Sequence, residues 1–146
     1  MITIIGLGAE RGDVTARGLA AARAADRVIV RTRTHPSAQG LTDAGIAFES
    51  FDELYERCRS YDTLVKAIVR ELRRMGKTEN VCYCVDGSPA EDRAAQALMK
   101  YRSTVVIGGV SKAAAAAEKA GLGNYLALSA YDVAGAKLSL PLVVYD

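Results

Sequence analysis

The sequence predicts an α/β domain built as a parallel five-stranded sheet with helices on both faces. Three observations carry that expectation. Five short apolar runs alternate with stretches of helical periodicity along the 146 residues. Three of those runs, ending at Ile5, Val85 and Ile107, lead into glycine-containing turns. Half of the residues are apolar, enough for one well-packed domain and too few residues in all for two ordinary ones.

The elements follow in order. Ile2 to Ile5 reads as the first strand, running into Gly6-Leu7-Gly8-Ala9-Glu10-Arg11-Gly12-Asp13 and then a helix. Glycines at such a turn let backbone approach a ligand, and the N–H groups of the next helix face whatever lies beyond the strand. Thr15 to Ala25 is an alanine-rich helix and Val28 to Val30 the second strand. Pro36 opens the next helix and Gly45 closes it, with Ser37 at a position where a serine caps. A short third strand is expected at Ala47 to Phe48.

Phe51, Leu54 and Tyr55 mark a short helix, and Leu64, Val65, Ile68, Val69 and Leu72 mark a long amphipathic one closing at Gly76. Val81 to Val85 is the fourth strand, with Cys82 and Cys84 on one of its faces. Pro89 starts a helix that runs to Met99, its first turn carrying Glu91 and Asp92 as the helix dipole favours. Val105 to Ile107 is the fifth strand, and Ser111 caps the alanine helix Ala113 to Ala120. Tyr125 to Ser129 and Leu138 to Tyr145 read as extended.

Nineteen basic and seventeen acidic residues leave a net charge of +2, which argues against nucleic-acid binding by overall charge. The apolar runs are too short for a membrane span and Met1 leads straight into a strand, so a cytoplasmic protein with a small-molecule partner is expected. Cys58, Cys82 and Cys84 have no paired spacing, and His35 is the single histidine, so neither a disulfide framework nor a metal site is indicated. Nothing has the spacing of a nucleophile with its base. Lys66, Arg70, Arg73, Arg74 and Lys77, on and just beyond the last turns of the long helix, read as a solvated face complementing the helix dipole.

In a parallel sheet the turns after strands one, four and five converge at the carboxyl edge and form a ligand crevice. Arg31, Thr32 and Arg33 stand where an NAD-binding domain would carry an acid, which disfavours NAD. Those arginines keep an NADP-binding module as an alternative.

Taken together, the loops resemble the first domain of the tetrapyrrole (corrin/porphyrin) methylases over the whole chain. Ile4-Ile5-Gly6-Leu7-Gly8-Ala9 resembles that family's opening strand and glycine loop, Val85 to Pro89 its G-D-P loop, and Gly109-Val110-Ser111 its G-V-S segment. Arg31-Thr32-Arg33-Thr34-His35-Pro36 and the stretch from Gly45 to Glu56 are similar to the branch fused to MazG-type nucleoside-triphosphate pyrophosphohydrolases. The resemblance implies a Rossmann-like fold and S-adenosylmethionine as cofactor, held between two domains, with in-line attack of an acceptor on the sulfonium methyl.

Carried over residue by residue, Gly6, Gly8, Gly87, Ser88, Pro89, Ser111 and Lys112 line the cofactor side, and Asp86, two residues before Ser88 in the second loop, is counted with them. Ser88 stands in place of that loop's aspartate and Lys112 in place of a small residue. The family's Gly-Asp after the first loop matches Gly12-Asp13 only with two residues inserted. Residues 1–146 are thus expected to be the N-terminal domain without its second methylase domain. Such a chain binds the cofactor weakly or not at all by itself, methylates nothing alone, and self-associates as a homodimer through apolar surface around Leu138 to Val144. The alternative is a non-catalytic nucleotide-binding or dimerisation module.

Overall fold

The computed structural model describes residues 1–137 and 139–145. Five strands, β1 (Ile2–Gly6), β2 (Arg27–Val30), β3 (Glu49–Ser50), β4 (Val81–Val85) and β5 (Thr104–Ile107), form one sheet in the order β3-β2-β4-β1-β5. Every pairing in it is parallel. The chain passes from β1 outward to β2 and β3, returns to fill the gap with β4, and ends at β5 on the other side. That reversal brings the turns after β1, β4 and β5 together at the carboxyl edge, where open α/β sheets bind ligands.

Side chains alternate across this sheet and so build two cores. Ile4, Ile29, Val81, Tyr83 and Val85 pack against the helices α4 (Tyr61–Met75) and α5 (Arg93–Met99), chiefly through Leu64, Ile68, Leu72, Ala95 and Leu98. Ile5, Val28, Val30, Cys82 and Cys84 face the other way, against Ala22 of α1 (Ala16–Arg23) and Leu41 of α2 (Gln39–Asp43). The two cysteines share a face as the alternation requires. Helices therefore cover both faces, and β4 is buried along its whole length.

Three boundaries differ from expectation. The third strand lies at Glu49–Ser50 rather than Ala47 to Phe48, because Phe48 packs against the second core while only two residues pair with Ile29 and Val30. The helix expected from Pro89 to Met99 is a single 3-10 turn, Pro89–Glu91, followed by α5. Asp92 interrupts it with extended backbone (φ −112°, ψ 122°) and accepts from Ala95 N as the cap of α5. Ser37 caps nothing at its helix start: the His35 ring accepts from Ser37 N, and Ser37 Oγ lies 2.8 Å from His35 Nδ1.

The short helix α3 (Asp52–Arg57) precedes α4, and α6 (Lys112–Lys119) follows β5. Beyond it, β6 (Leu126–Ser129) and β7 (Leu142–Tyr145) pair in parallel as a separate two-stranded sheet. The expected extended segment starting at Leu138 begins outside the described residues. Among the described residues no helix is long and apolar enough to cross a membrane.

Candidate functional site

The carboxyl edge is assembled from three glycine turns that touch one another. A Cβ placed on Gly6 would lie 2.6 Å from Gly109 N, 2.7 Å from Gly87 O and 2.8 Å from Pro89 Cδ. Gly109 is confined by Gly6 and Gly87 in the same way. Gly8 and Gly87 exchange backbone hydrogen bonds, Gly87 N donating to Gly8 O at 2.7 Å and Gly8 N to Gly87 O at 3.2 Å. Both have positive φ, +88° and +72°, a conformation that side-chain-bearing residues rarely adopt. The expected convergence of Gly6, Gly87 and Gly109 on one edge is thus present, and much of their glycine character serves backbone-to-backbone packing.

Gly108 is different. It is exposed, a Cβ there would meet nothing within 4 Å, and Val110 beside it is 44% exposed. The open backbone of the third turn is therefore the part that faces outward.

The turns are held by their own side chains. Asp13 accepts from Ala9 N at 3.0 Å and Glu10 N at 2.9 Å, so the aspartate after the inserted residues fixes the first loop. Glu10 pairs with Lys119 of α6. Glu91 bridges the second and third loops: its carboxylate accepts from Ser88 N at 2.9 Å, Ser111 Oγ at 2.7 Å, Lys112 N at 2.9 Å and Ala113 N at 3.0 Å. Burial raises its pKa, but the hydrogen bonds from Ala113, Ser88, Ser111 and Lys112 outweigh this and hold it below the ordinary glutamate value. Glu91 thus serves two helix starts at once, its own turn through the capping box with Ser88 and the N-terminus of α6. Ser88 accepts from Ala90 N, and Ser111 accepts from Ala114 N as the cap of α6. Pro89 is buried against the Gly6 turn.

Charges behind these loops form a neutral network. Lys112 Nζ donates to Asp86 at 2.8 Å, and the Arg31 guanidinium lies 3.8 Å from Asp86 and 3.5 Å from Asp92. Arg31 Nε donates to Tyr55 Oη at 2.6 Å, and Tyr83 Oη donates to Asp92 at 3.4 Å. The two carboxylates diverge. Burial pushes Asp86 up, yet Lys112 and Arg31 hold it below its ordinary value. Burial dominates at Asp92 and leaves its carboxyl raised despite Arg31. For Arg31 itself, burial is outweighed by Asp92, Tyr55 and Asp86, so the guanidinium stays charged. Arg33 is engaged as well, its N–H donating to Asp52 at 3.1 Å and its Nε to Ser50 at 3.1 Å.

Of the residues singled out from sequence, Gly6, Gly8, Asp86, Gly87, Ser88, Pro89, Ser111 and Lys112 therefore share this edge. Sequence reasoning missed Glu91 and Asp92 as its organisers, and Tyr55 and Tyr83 as partners in the network. The available signal was an acid pair, Glu91-Asp92, beginning two residues after Pro89 and three after Ser88, inside a stretch otherwise read as a helix packing on a sheet.

On the α4/α5 face the basic set expected to be simply solvated lines an open cavity of about 570 Å³, with Val65, Val69 and Ala97 as its apolar part.

Comparison with known families places nearly the whole chain in one of them, and solved structures share its fold. Residues 1–143 match the family described as Tetrapyrrole (Corrin/Porphyrin) Methylases. The chain is 32% identical over 89 residues to the uncharacterized protein YabN of Bacillus subtilis (strain 168), a match covering 60% of this chain and 18% of YabN. Its fold is similar to a precorrin-6Y methylase of cobalamin biosynthesis from Archaeoglobus fulgidus, with a TM-score of 0.65, 18% identity, and coverage of 90% of this chain and 65% of the other. It is also similar to a diphthine synthase, with a TM-score of 0.58, 21% identity, and coverage of 88% and 53%. The chain thus spans less than a fifth of that curated relative and between half and two thirds of the two solved structures. With the family pattern running from residue 1 to 143, this chain belongs to the tetrapyrrole methylase family.

Proposed function

We propose that this chain is the S-adenosylmethionine-binding half of a tetrapyrrole-methylase-like methyltransferase, inactive in methyl transfer by itself. The observation that carries the reading is the meeting of Gly6, Gly87 and Gly109 at the carboxyl edge, in a chain whose family is related to methyltransferases. Bound there, S-adenosylmethionine supplies an electrophilic methyl group on a sulfonium.

The residues present fit such a ligand mainly through backbone and apolar surface. Gly108 leaves room for close approach and Val110 offers an apolar contact to a flat, uncharged moiety. The Asp86–Lys112 pair lies next to the Gly87 turn as the charged element able to meet an amino-acid end. Glu91 already satisfies the N-terminus of α6, so that terminus is not offered to a ligand carboxylate. The chain's contribution is orientation, and a single half encloses less of a ligand than the roughly 70–90% typical of a good pocket.

The same reading makes 1–146 the N-terminal domain of a cytoplasmic protein that works with a second methylase half and with a MazG-type pyrophosphohydrolase domain. The second link rests on the resemblance of Arg31 to Pro36 and Gly45 to Glu56. Self-association as a homodimer fits the exposed Leu140 and Val144 of the last segment; Leu138 lies outside the described residues. A non-catalytic dimerisation module is the second reading, favoured by the internal pairing of Asp86 with Lys112. A nicotinamide dinucleotide phosphate finds less support, because Arg31 and Arg33 are already held by carboxylates.

Calorimetry with S-adenosylhomocysteine tests the proposal. A dissociation constant weaker than micromolar, abolished in Gly108→Val, is expected. Submicromolar binding to this chain would overturn the half-site argument, and unchanged binding in Gly108→Val would overturn the site.

A further inference from the structure

We propose that the cavity on the α4/α5 face is a binding site for a small phosphorylated ligand with an apolar body. Among the described residues five cations line it, Lys66, Arg70, Arg73, Arg74 and Lys77, and no acid does. Its apolar part is Val65, Val69 and Ala97, and its volume of about 570 Å³ lies within the range of small-molecule sites.

The sequence of α4 does not explain this accumulation as helix stabilisation. Cations in the last turn complement the dipole, which accounts for Arg73 and Arg74 but not for Lys66 and Arg70 further up the helix. Lys66 and Arg70, and again Arg70 and Arg74, are like charges four residues apart, an arrangement that costs a few tenths of a kcal/mol per pair. One acid on this helix relieves them in part: Glu71 lies 3.0 Å from Arg74 and 3.9 Å from Arg70. Both arginines are mostly exposed and keep donors for another anion. Lys66 to Arg74 spans about 12 Å of helix at 1.5 Å per residue, a reach suited to a short chain of phosphoryl groups. Arginine's planar fork matches phosphoryl oxygens in pairs.

At one end the surface is already organised. The Arg73 guanidinium lies over the Tyr101 ring at 4.3 Å, and its NH1 donates to Tyr101 Oη at 3.1 Å. A flat guanidinium on a flat ring presents a planar face beside the cations. The two features together, a cationic row and an apolar strip, select a ligand with both parts. Inorganic polyphosphate satisfies the first and an uncharged ring compound the second. Arg73 and Lys77 also border the neighbouring cavity formed by Met1, Ile2 and Thr104, which places this end of the site at the amino edge of the sheet, opposite the glycine turns. The inference therefore stands independently of the cofactor reading.

Titrations of the chain with ATP, inorganic tripolyphosphate and adenosine, at fixed ionic strength and without magnesium, test it. ATP is expected to bind saturably at least tenfold more tightly than either of the others. In the double variant Arg70→Gln/Arg74→Gln, whose side chains are exposed so that the fold is retained, the ATP affinity is expected to fall tenfold or more. Equal affinity for ATP and tripolyphosphate would overturn the assignment of the apolar strip. Undiminished ATP binding in the double variant, or no saturable binding of ATP at all, would overturn the site.

Discussion

At the carboxyl edge Asp86 meets Lys112 and Arg31, Asp92 meets Arg31 and Tyr83, and Glu91 meets four donors from two loops. Along α4, by contrast, five cations line a cavity, and Glu71 lies close to two of them. Both regions are rich in ionisable groups, but in the first the chain supplies a counter-charge or hydrogen-bond donors for each, and in the second one glutamate serves two of five cations. The difference separates two uses of charge. Buried charge has to be matched inside the protein, because an unmatched ion in a low-dielectric interior is strongly destabilising. Charge on a helix surface is tolerated by water, so an unmatched excess survives and is available to a ligand.

The sharpest way to break the carboxyl edge is steric. Gly6→Val places side-chain atoms against the backbone of Gly87 and Gly109 and the Pro89 ring, none of which can move alone. It is expected to destabilise by about 3 kcal/mol or more, read from the midpoint of urea unfolding, with loss of any cofactor binding. A loss below about 1 kcal/mol would mean that the three turns are not locked together.

Next in size is Glu91→Ala, which leaves Lys112 N, Ala113 N and Ser111 Oγ without their acceptor. A cost of about 1–2 kcal/mol is expected, as for a lost helix cap. Its pH dependence carries a sign. The folded-state pKa of Glu91 is lowered from 4.5, so its stabilisation is complete above that value and disappears as pH falls through the folded pKa. Asp92 acts oppositely: its pKa is raised above 3.8, so its contribution is complete below that value and is lost as pH rises through the folded pKa. Unfolding measured from pH 6 to 3 should therefore show a shallower acid loss in Glu91→Gln and a steeper one in Asp92→Asn. The same slope in both variants would contradict the opposed environments of two adjacent carboxylates.

The smallest effect belongs to the other region. Arg70→Gln removes two like-charge contacts on α4 and is expected to raise stability by roughly 0.2–0.5 kcal/mol at low salt, the gain fading at high salt. Destabilisation by Arg70→Gln would show that the row is not under mutual repulsion.

The comparison also explains what was legible in the sequence. Strands and helices announced themselves because hydrophobic period is a local signal, and the glycines after Ile5, Val85 and Ile107 mark the site's edge for the same reason. Glu91 and Asp92 did not. The partners of Glu91 on α6 lie 20 to 22 residues away, and Arg31 reaches Asp92 across the sheet, so no short window contains either arrangement. The break at Asp92 was invisible for a related reason: a capping acid and a first-turn acid look alike until backbone geometry distinguishes them. The cations of α4 were plainly visible, but the cavity they line depends on Ala97 of a second helix.

The most direct test is amide chemical-shift mapping of the chain with S-adenosylhomocysteine raised to millimolar concentration. Fast-exchange shifts are expected at Gly6 to Gly8, Asp86 to Ser88 and Gly108 to Lys112, with the amides of α4 unmoved. Shifts centred on α4, or none at those three turns, would contradict a cofactor site at the glycine turns.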